Sequence, residues 1–346
     1  VSAFNDAFRE TVIRLASTVT RPFWSGLGCI VVLHRVLPED DQSALPANRA
    51  LEITPGELRA MLGWVQERGM EVIGLDAVPD RLKKPGGPRF IAFTFDDGYR
   101  DNLQYALPLF REFEMPFAVN VNNGFASRAQ SIWWYFLEAA VAGRARLRFS
   151  WEGRIHDFGC RTESDRNHAV EHLSELVRSL GTSRNLLLQC IADAAGVDPL
   201  LSTREMAMNW SEVAELAADP LVSIGAHGAC HHSLNRLTED EIEIEVTAAK
   251  RELEARIGRE VRHFAYPFGG SNAAEEREFG IVRRAGFTTM LTTRPANLFP
   301  RNAKRMDRLP RFGISGNYSA VRSLVMIESG LSSFLHERSE KSRGAR

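Results

Sequence analysis

The sequence predicts an α/β chain built on a largely parallel sheet or barrel of about seven strands, interrupted by a helical insertion. Two observations carry this reading. Short apolar, β-rich runs alternate with longer helical patterns over most of the chain, and the alternation stops between about residues 125 and 208 before it resumes. With 346 residues, 44% of them hydrophobic, the chain can bury a full core, which excludes a disordered or fibrous protein.

The runs that read as strands are Cys29–Leu33, Glu71–Leu75, Phe90–Phe95, Phe117–Val121, Val222–Ala226, His263–Tyr266 and Thr288–Leu291, with an eighth at Leu309–Ile314. Several helices announce their starts. Thr54-Pro55-Gly56-Glu57 is a capping box with proline at the first helical position, and Asn209 with Glu212 and Thr238 with Glu241 repeat the box. Behind Thr238, the residues Ile242, Val246, Leu253 and Ile257 form one apolar stripe at helical spacing, which is core.

Residues 1–124 therefore read as the first part of the βα core, opened by an amphipathic N-terminal helix through Phe4, Phe8, Val12 and Leu15. Residues 125–208 read as the insertion, 209–338 as the second part of the core and 339–346 as a frayed polar tail. Inside the insertion, helical patterns cover Ile132–Val141, His168–Leu180 and Asn185–Ala194, and Arg146–Phe158 reads as a hairpin turning at Glu152-Gly153. His168 and His172 sit four apart in a charged helical stretch and read as surface residues.

Lys plus Arg number 43 against 44 Asp plus Glu, a formal charge of −1, so no electrostatic footprint for nucleic acid or an anionic membrane is visible. A neutral partner such as a sugar fits better. Cys29, Cys160, Cys190 and Cys230 are scattered without a C-x-x-C pair, which argues against a disulfide-stapled scaffold and for a reducing compartment. The start of the chain lacks the pattern of a signal peptide, and no run approaches the ~20 apolar residues that span a bilayer. A cytoplasmic protein without a membrane span is the expectation.

Chemistry concentrates at three strand ends. Phe93-Thr94-Phe95-Asp96-Asp97-Gly98-Tyr99 places two adjacent carboxylates after an apolar strand, and Gly98 permits a turn that lets one bind a cation while the other faces a substrate. Taken alone, the pair equally suits a helix cap. His227-Gly-Ala-Cys-His231-His232 follows the strand Val222–Ala226, and two imidazoles four apart suit chelation of a zinc-like ion, although a histidine cap is the bland alternative. Phe264-Ala265-Tyr266-Pro267-Phe268-Gly269 is a tight loop able to turn a backbone N–H toward a ligand. All three, together with His34, fall at carboxyl ends of strands, the face where (β/α) barrels build active sites. That convergence favours function over capping.

These motifs resemble those of the polysaccharide deacetylase superfamily, carbohydrate esterase family 4 or the NodB-homology family. The likeness covers Leu33 to Gly98 and Trp210 to about Ile314, with the insertion unmatched. It implies a distorted (β/α) barrel and a metal-dependent N-deacetylase acting on an acetylated amino sugar, with a divalent metal ion, zinc first among the choices. Phe93–Gly98 resembles the T-F-D-D-G motif, which makes Asp96 the base and Asp97 a metal ligand. His227–Leu234 resembles H-[ST]-x-x-H-P-x-L, which adds His227 and His231 as ligands, with His232 where proline is usual. Phe264–Gly269 resembles the R-x-P-Y-G loop in an F-A-Y-P-F-G variant, with the Phe268 N–H as oxyanion donor. His34-Arg35-Val36 and Leu309-Pro310-Arg311 resemble two further elements, Y-H-R-V and L-P-R.

Two departures stand out. The arginine that commonly orients the base is Ala265 here, so Arg311 is the expected substitute. The late L-x-H motif that supplies the general acid has no clear counterpart, which leaves His34 and His336 to be weighed. Trp133 and Trp134, at the opening of the insertion, have the faces to stack on sugar rings or the bulk to pack a helical cap. Other readings on the same residues are a hydrolase of a cyclic amide or imide, since fold and metal do not fix the substrate, and a carbohydrate-binding homologue without turnover.

Overall fold

A computed structural model gives the structure of the chain and describes residue 16 and residues 18–344. The expected N-terminal positions Phe4, Phe8, Val12 and Leu15 lie outside the described residues, as does the end of the tail at Ala345 and Arg346. Seven parallel strands form the main path of the sheet: β1 (Gly28–Leu33), β2 (Phe90–Phe95), β3 (Phe117–Val121), β4 (Val222–Ala226), β5 (His263–Ala265), β6 (Thr289–Leu291) and β7 (Phe312–Gly313). Their order is β6-β5-β4-β3-β2-β1-β7. A parallel bridge between Leu291 and Leu309 ties the approach to β7 back onto β6, so the sheet curls toward a ring. This is a distorted (β/α) barrel, as the alternation of runs predicts.

The strands are continuous apolar runs because they are covered on both faces. Every residue of β1 and β2 is buried. One correction concerns Glu71–Leu75, which contributes only the short strand Glu71–Val72 beside the first residues of β2. The chain then leaves at Gly74 into a short turn of helix at Leu75–Ala77, and further along the same edge of β2 is taken by β3. The eighth run, Leu309–Ile314, takes the seventh place in the path instead.

Alternation along the strands separates two cores. Cys29, Val31, Leu33, Phe93 and Phe95 face the helices outside the sheet, where the stripe Ile242, Val246 and Leu253 joins them. Ile30, Phe90, Ala92, Ala118, Ala265, Leu291 and Leu309 pack inside. The three expected capping boxes form with both hydrogen bonds, at Thr54, Asn209 and Thr238.

Between β3 and β4 the chain leaves the barrel. It builds the helices Trp133–Val141, Glu163–Ser179 and Arg184–Ala195 and the hairpin Arg146–Trp151 with Arg154–Gly159, which share a separate apolar core. A box at Thr162 and Asp165, not foreseen, starts the second helix earlier than the expected His168. His168 and His172 are exposed. The helix Leu331–Gly344 carries the backbone well into the segment read as a frayed tail. The four cysteines are free, and no described helix is long and apolar enough to cross a membrane.

Candidate metal and catalytic site

Period-two alternation explains how the carboxylate Asp96 comes to face an arginine. Phe90, Ala92 and Thr94 point into the barrel, so Asp96, one step beyond β2, continues inward. Leu309 also points inward, and Arg311 follows it by two residues. Arg311 Nη1 donates to Asp96 Oδ1 at 2.8 Å and Nη2 to Oδ2 at 2.7 Å. Two further donors are aimed at Thr94 Oγ1 and the Thr292 carbonyl, both at 3.0 Å. Such a two-pronged pair fixes a carboxylate in orientation as well as charge. Ala265, on the same inner face, offers no donor, and the guanidinium beside Asp96 comes from Arg311, just ahead of β7.

Asn120 adds a third contact, its Nδ2 donating to Asp96 Oδ1 at 2.8 Å. A Cβ on Gly225 would meet the Asn120 amide oxygen at 2.1 Å, so the glycine of β4 is what admits this side chain. Asn120 went unnoticed in the sequence reading. The signal was present, since an amide stands in the middle of the otherwise apolar run Phe-Ala-Val-Asn-Val.

Asp97 departs from alternation by adopting φ 75°, followed by Gly98 at 78°. That turn brings Asp97 Oδ1 to 3.4 Å from His227 Nε2 and 3.2 Å from His231 Nε2. Two ligands of a tetrahedral zinc-like ion, each about 2.0–2.1 Å from it, lie roughly 3.3 Å apart. All three residues are buried and their ligand atoms fall within 4.8 Å of one another. Asp97 Oδ1 accepts no hydrogen bond in this buried place, the state expected of an atom kept for a cation. His227 Nδ1 lies 2.8 Å from the Ala265 carbonyl, a contact that, with Nδ1 protonated, leaves the Nε2 lone pair facing Asp97. The residues present therefore fit a divalent metal.

Of the two adjacent histidines, His231 is the one whose ring lies beside Asp97. Its neighbour His232 turns away, its Nδ1 3.7 Å from Glu245 Oε2. Glu245 also accepts from the Cys230 N–H at 2.7 Å, and the buried Arg184 of the insertion donates to the His231 carbonyl at 2.6 Å and to that of Cys230. Neither Glu245 nor Arg184 carried a motif signal. Cys230, His232 and Glu245 also lie close enough together to share an ion, but the carboxylate is already engaged in holding the loop.

Electrostatics sorts the titratable groups. Burial opposes ionisation of Asp96, but the Arg311 guanidinium, with His227, holds the carboxyl down at about 2. Burial likewise opposes the charge on Asp97, yet its contacts with His227 and His231 keep it further below the usual carboxylate range. Burial pulls His231 down to about 4, leaving a neutral ring suited to coordination. For His227 burial acts downward, but Asp96 and Asp97 outweigh it and the ring sits above its ordinary value. Burial also lowers His34.

These groups form the floor of a cavity of about 180 Å³. His34, Phe268 and Thr293 line it from the barrel, and Trp133, Trp134 and Arg178 from the insertion. Phe268 stands at φ 63°, and its N–H has no acceptor among the described residues. His336 lies on the helix Leu331–Gly344 and does not line the cavity. Both tryptophans do two things at once: they are buried in the core of the insertion, and they form cavity wall. Trp134 Nε1 donates to the Tyr99 hydroxyl at 3.0 Å while its ring lies beside His231.

Residues 200–290 match the polysaccharide deacetylase family, a span that includes His227, His231 and the Phe264–Gly269 loop. No curated protein sequence matches the chain. Among solved structures, the chain is similar to a polysaccharide deacetylase from Bacillus cereus, with a TM-score of 0.54 at 15% identity over 87% of this chain and 68% of that one. It is also similar to IcaB from Ammonifex degensii, with a TM-score of 0.53 at 18% identity over 87% and 97% of the two chains. The Streptococcus pyogenes deacetylase PplD, solved with acetate, gives 0.50 at 15% identity over 86% and 96%. At these identities the structures speak for a shared fold.

Proposed function

We propose that this chain is a member of the polysaccharide deacetylase superfamily, whose model its residues 200–290 match, and a metal-dependent N-deacetylase of an acetylated amino sugar in a polysaccharide, oligosaccharide or glycan precursor. One observation carries the reading: Asp97, His227 and His231 converge beside the Asp96–Arg311 pair on the floor of a single cavity. Asp97, His227 and His231 would hold a divalent ion, zinc by preference, which when bound supplies Lewis-acid polarisation of a carbonyl and acidification of water.

The chain's own groups divide the remaining work. Asp96 accepts the proton of the attacking water, and Arg311 with Asn120 hold its carboxylate in one orientation. The Phe268 N–H offers a hydrogen bond to the oxygen that gains negative charge as the amide carbon becomes tetrahedral. The proton that reaches the departing nitrogen is the one Asp96 takes from the water; His34, a ring that burial keeps neutral on the cavity wall near both aspartates, is the group we assign to relay it. The amide C–N bond breaks, water supplies the new oxygen, and acetate and a free amine leave.

The test is release of acetate from N-acetylated glucosamine oligomers, with and without a chelator and with zinc restored. Release that stops with chelator and returns with zinc supports the reading, and release indifferent to chelator overturns the metal dependence. A second reading, hydrolysis of a cyclic amide or imide, is favoured by the cavity size. An engineered cavity of about 150 Å³ holds a benzene ring, so about 180 Å³ accommodates roughly one ring. Turnover of a cyclic imide with none on any acetylated sugar would decide for it.

A further inference from the structure

The cavity above Asp97 does not end at its outer wall. Arg178 and Phe268 close it on one side, and the same two residues line a second hollow of about 450 Å³. Around that hollow stand Arg236, Asn272, Ser233 and Glu175. One side is thus made by the insertion helix Glu163–Ser179, and the other by the segment that follows the ligand loop.

The charges of this hollow are unusual for a chain of net charge −1. It is lined by two guanidiniums against one carboxylate, that of Glu175. Neither Arg178 nor Arg236 makes an ion pair or a side-chain hydrogen bond with any described residue. Arg178 instead lies over the Trp133 ring, 5.7 Å from its centroid, so the aromatic wall of the cavity steadies it without neutralising it. Elsewhere many arginines of the chain are matched to carboxylates, as Arg35 is to Asp101 and Arg111 to Asp219.

We propose that this hollow is a subsite for an anionic group, a phosphate or a carboxylate, borne by the part of the substrate adjoining the acetylated sugar. The inference rests on the deacetylase reading and names the substrate class within it: an acetamido sugar with a negative neighbour. A guanidinium meets either anion with two parallel hydrogen bonds, which a neutral sugar hydroxyl cannot match in charge. With roughly one ring in the inner cavity, the next unit or substituent falls in the outer hollow, between Arg178 and Arg236.

Binding is the readout, measured by calorimetry on the zinc-loaded protein at fixed ionic strength. The probes are N-acetylglucosamine 1-phosphate, an N-acetylglucosamine disaccharide carrying a glucuronate, and neutral diacetylchitobiose. We expect at least one anionic probe to bind about tenfold or more tightly than the neutral one, a difference on the scale of one charge-assisted contact. The double variant Arg178→Gln/Arg236→Gln should collapse that ratio toward one, and Arg178→Lys/Arg236→Lys should keep part of it, with thermal melting as the check on folding. Preference for the phosphate probe alone or the uronate probe alone supports the subsite and identifies its anion. Equal affinity for all three probes, or a preference that survives loss of both arginines, overturns it. Acetate release separates the two readings: anion preference without release on any probe keeps the subsite and loses the deacetylase, and release without preference does the reverse.

Discussion

The guanidinium of Arg311 covers both carboxylate oxygens of Asp96 at 2.7 and 2.8 Å, with Arg311 fully buried and Asp96 nearly so. Removing one member of such a pair leaves the other as an uncompensated buried charge, which costs about 3–5 kcal/mol. Arg311→Met should therefore destabilise the metal-free protein by that order in urea unfolding. Adding Asp96→Asn to it should recover part of the loss, because the orphaned charge is gone. Strictly additive effects in the double variant would show that the two side chains do not support each other. In catalysis, Arg311→Met should lower kcat more than it raises KM, as expected if Arg311 holds the Asp96 carboxylate in the orientation from which it takes the proton of water.

The two neighbouring aspartates should fail in different ways. Asp97 lies against both histidines, so Asp97→Asn should weaken zinc binding and abolish the rise in Tm that added zinc confers. Asp96 is held by Arg311 and Asn120, so Asp96→Asn should keep stoichiometric zinc and the Tm shift. Its turnover should fall by ~100- to 10,000-fold, the usual worth of a general base. Zinc content by elemental analysis alongside acetate release checks both halves. Loss of zinc in Asp96→Asn with retention in Asp97→Asn would reverse the assignment.

A parallel contrast separates the double histidine. His231→Ala should lose tight zinc, whereas His232→Ala, whose ring faces Glu245, should keep it and lose only some stability. Equal zinc loss in the two variants would count against His231 as the ligand.

What the sequence made legible was whatever depends on local pattern. The strands β2, β3 and β4 begin and end where their apolar runs do, and the three boxes at Thr54, Asn209 and Thr238 form as spaced. Among the candidate site residues, Asp96, Asp97 and His227 were legible because each follows closely on a strand end with a glycine near it, and His231 through its spacing of four from His227. Contacts between distant segments were not. Asn120 reaches Asp96 only because Gly225, on the neighbouring strand, leaves it room. Glu71–Leu75 has the composition of a barrel strand, but its fate was decided by competition with Phe117–Val121 for one edge of β2, which no single segment records. Arg178 and Arg184 look like ordinary helix residues until the insertion folds back over the mouth of the barrel.

Arg184 supplies the last prediction. It is buried, and burial pulls its guanidinium down to about 10, yet it has no carboxylate partner within ion-pair distance among the described residues. Its Nη atoms donate to the carbonyls of His231 and Cys230, while Glu245 accepts from the Cys230 N–H on the same loop. His231 itself stands at φ 58°, a conformation that costs a non-glycine residue about 1–3 kcal/mol and persists only where its surroundings hold it. The insertion thus holds His231, the ligand we propose, in a strained position through one side chain. Arg184→Met should leave the buried His231 carbonyl and the half-buried Cys230 carbonyl without this donor and let His231 relax away from Asp97, lowering zinc affinity by about tenfold or more, measured by competition with a chromogenic chelator. Arg184→Lys, with one cation and a shorter reach, should recover part of that affinity. If both variants melt earlier but bind zinc as tightly as the parent, Arg184 stabilises the insertion alone and does not position the ligand.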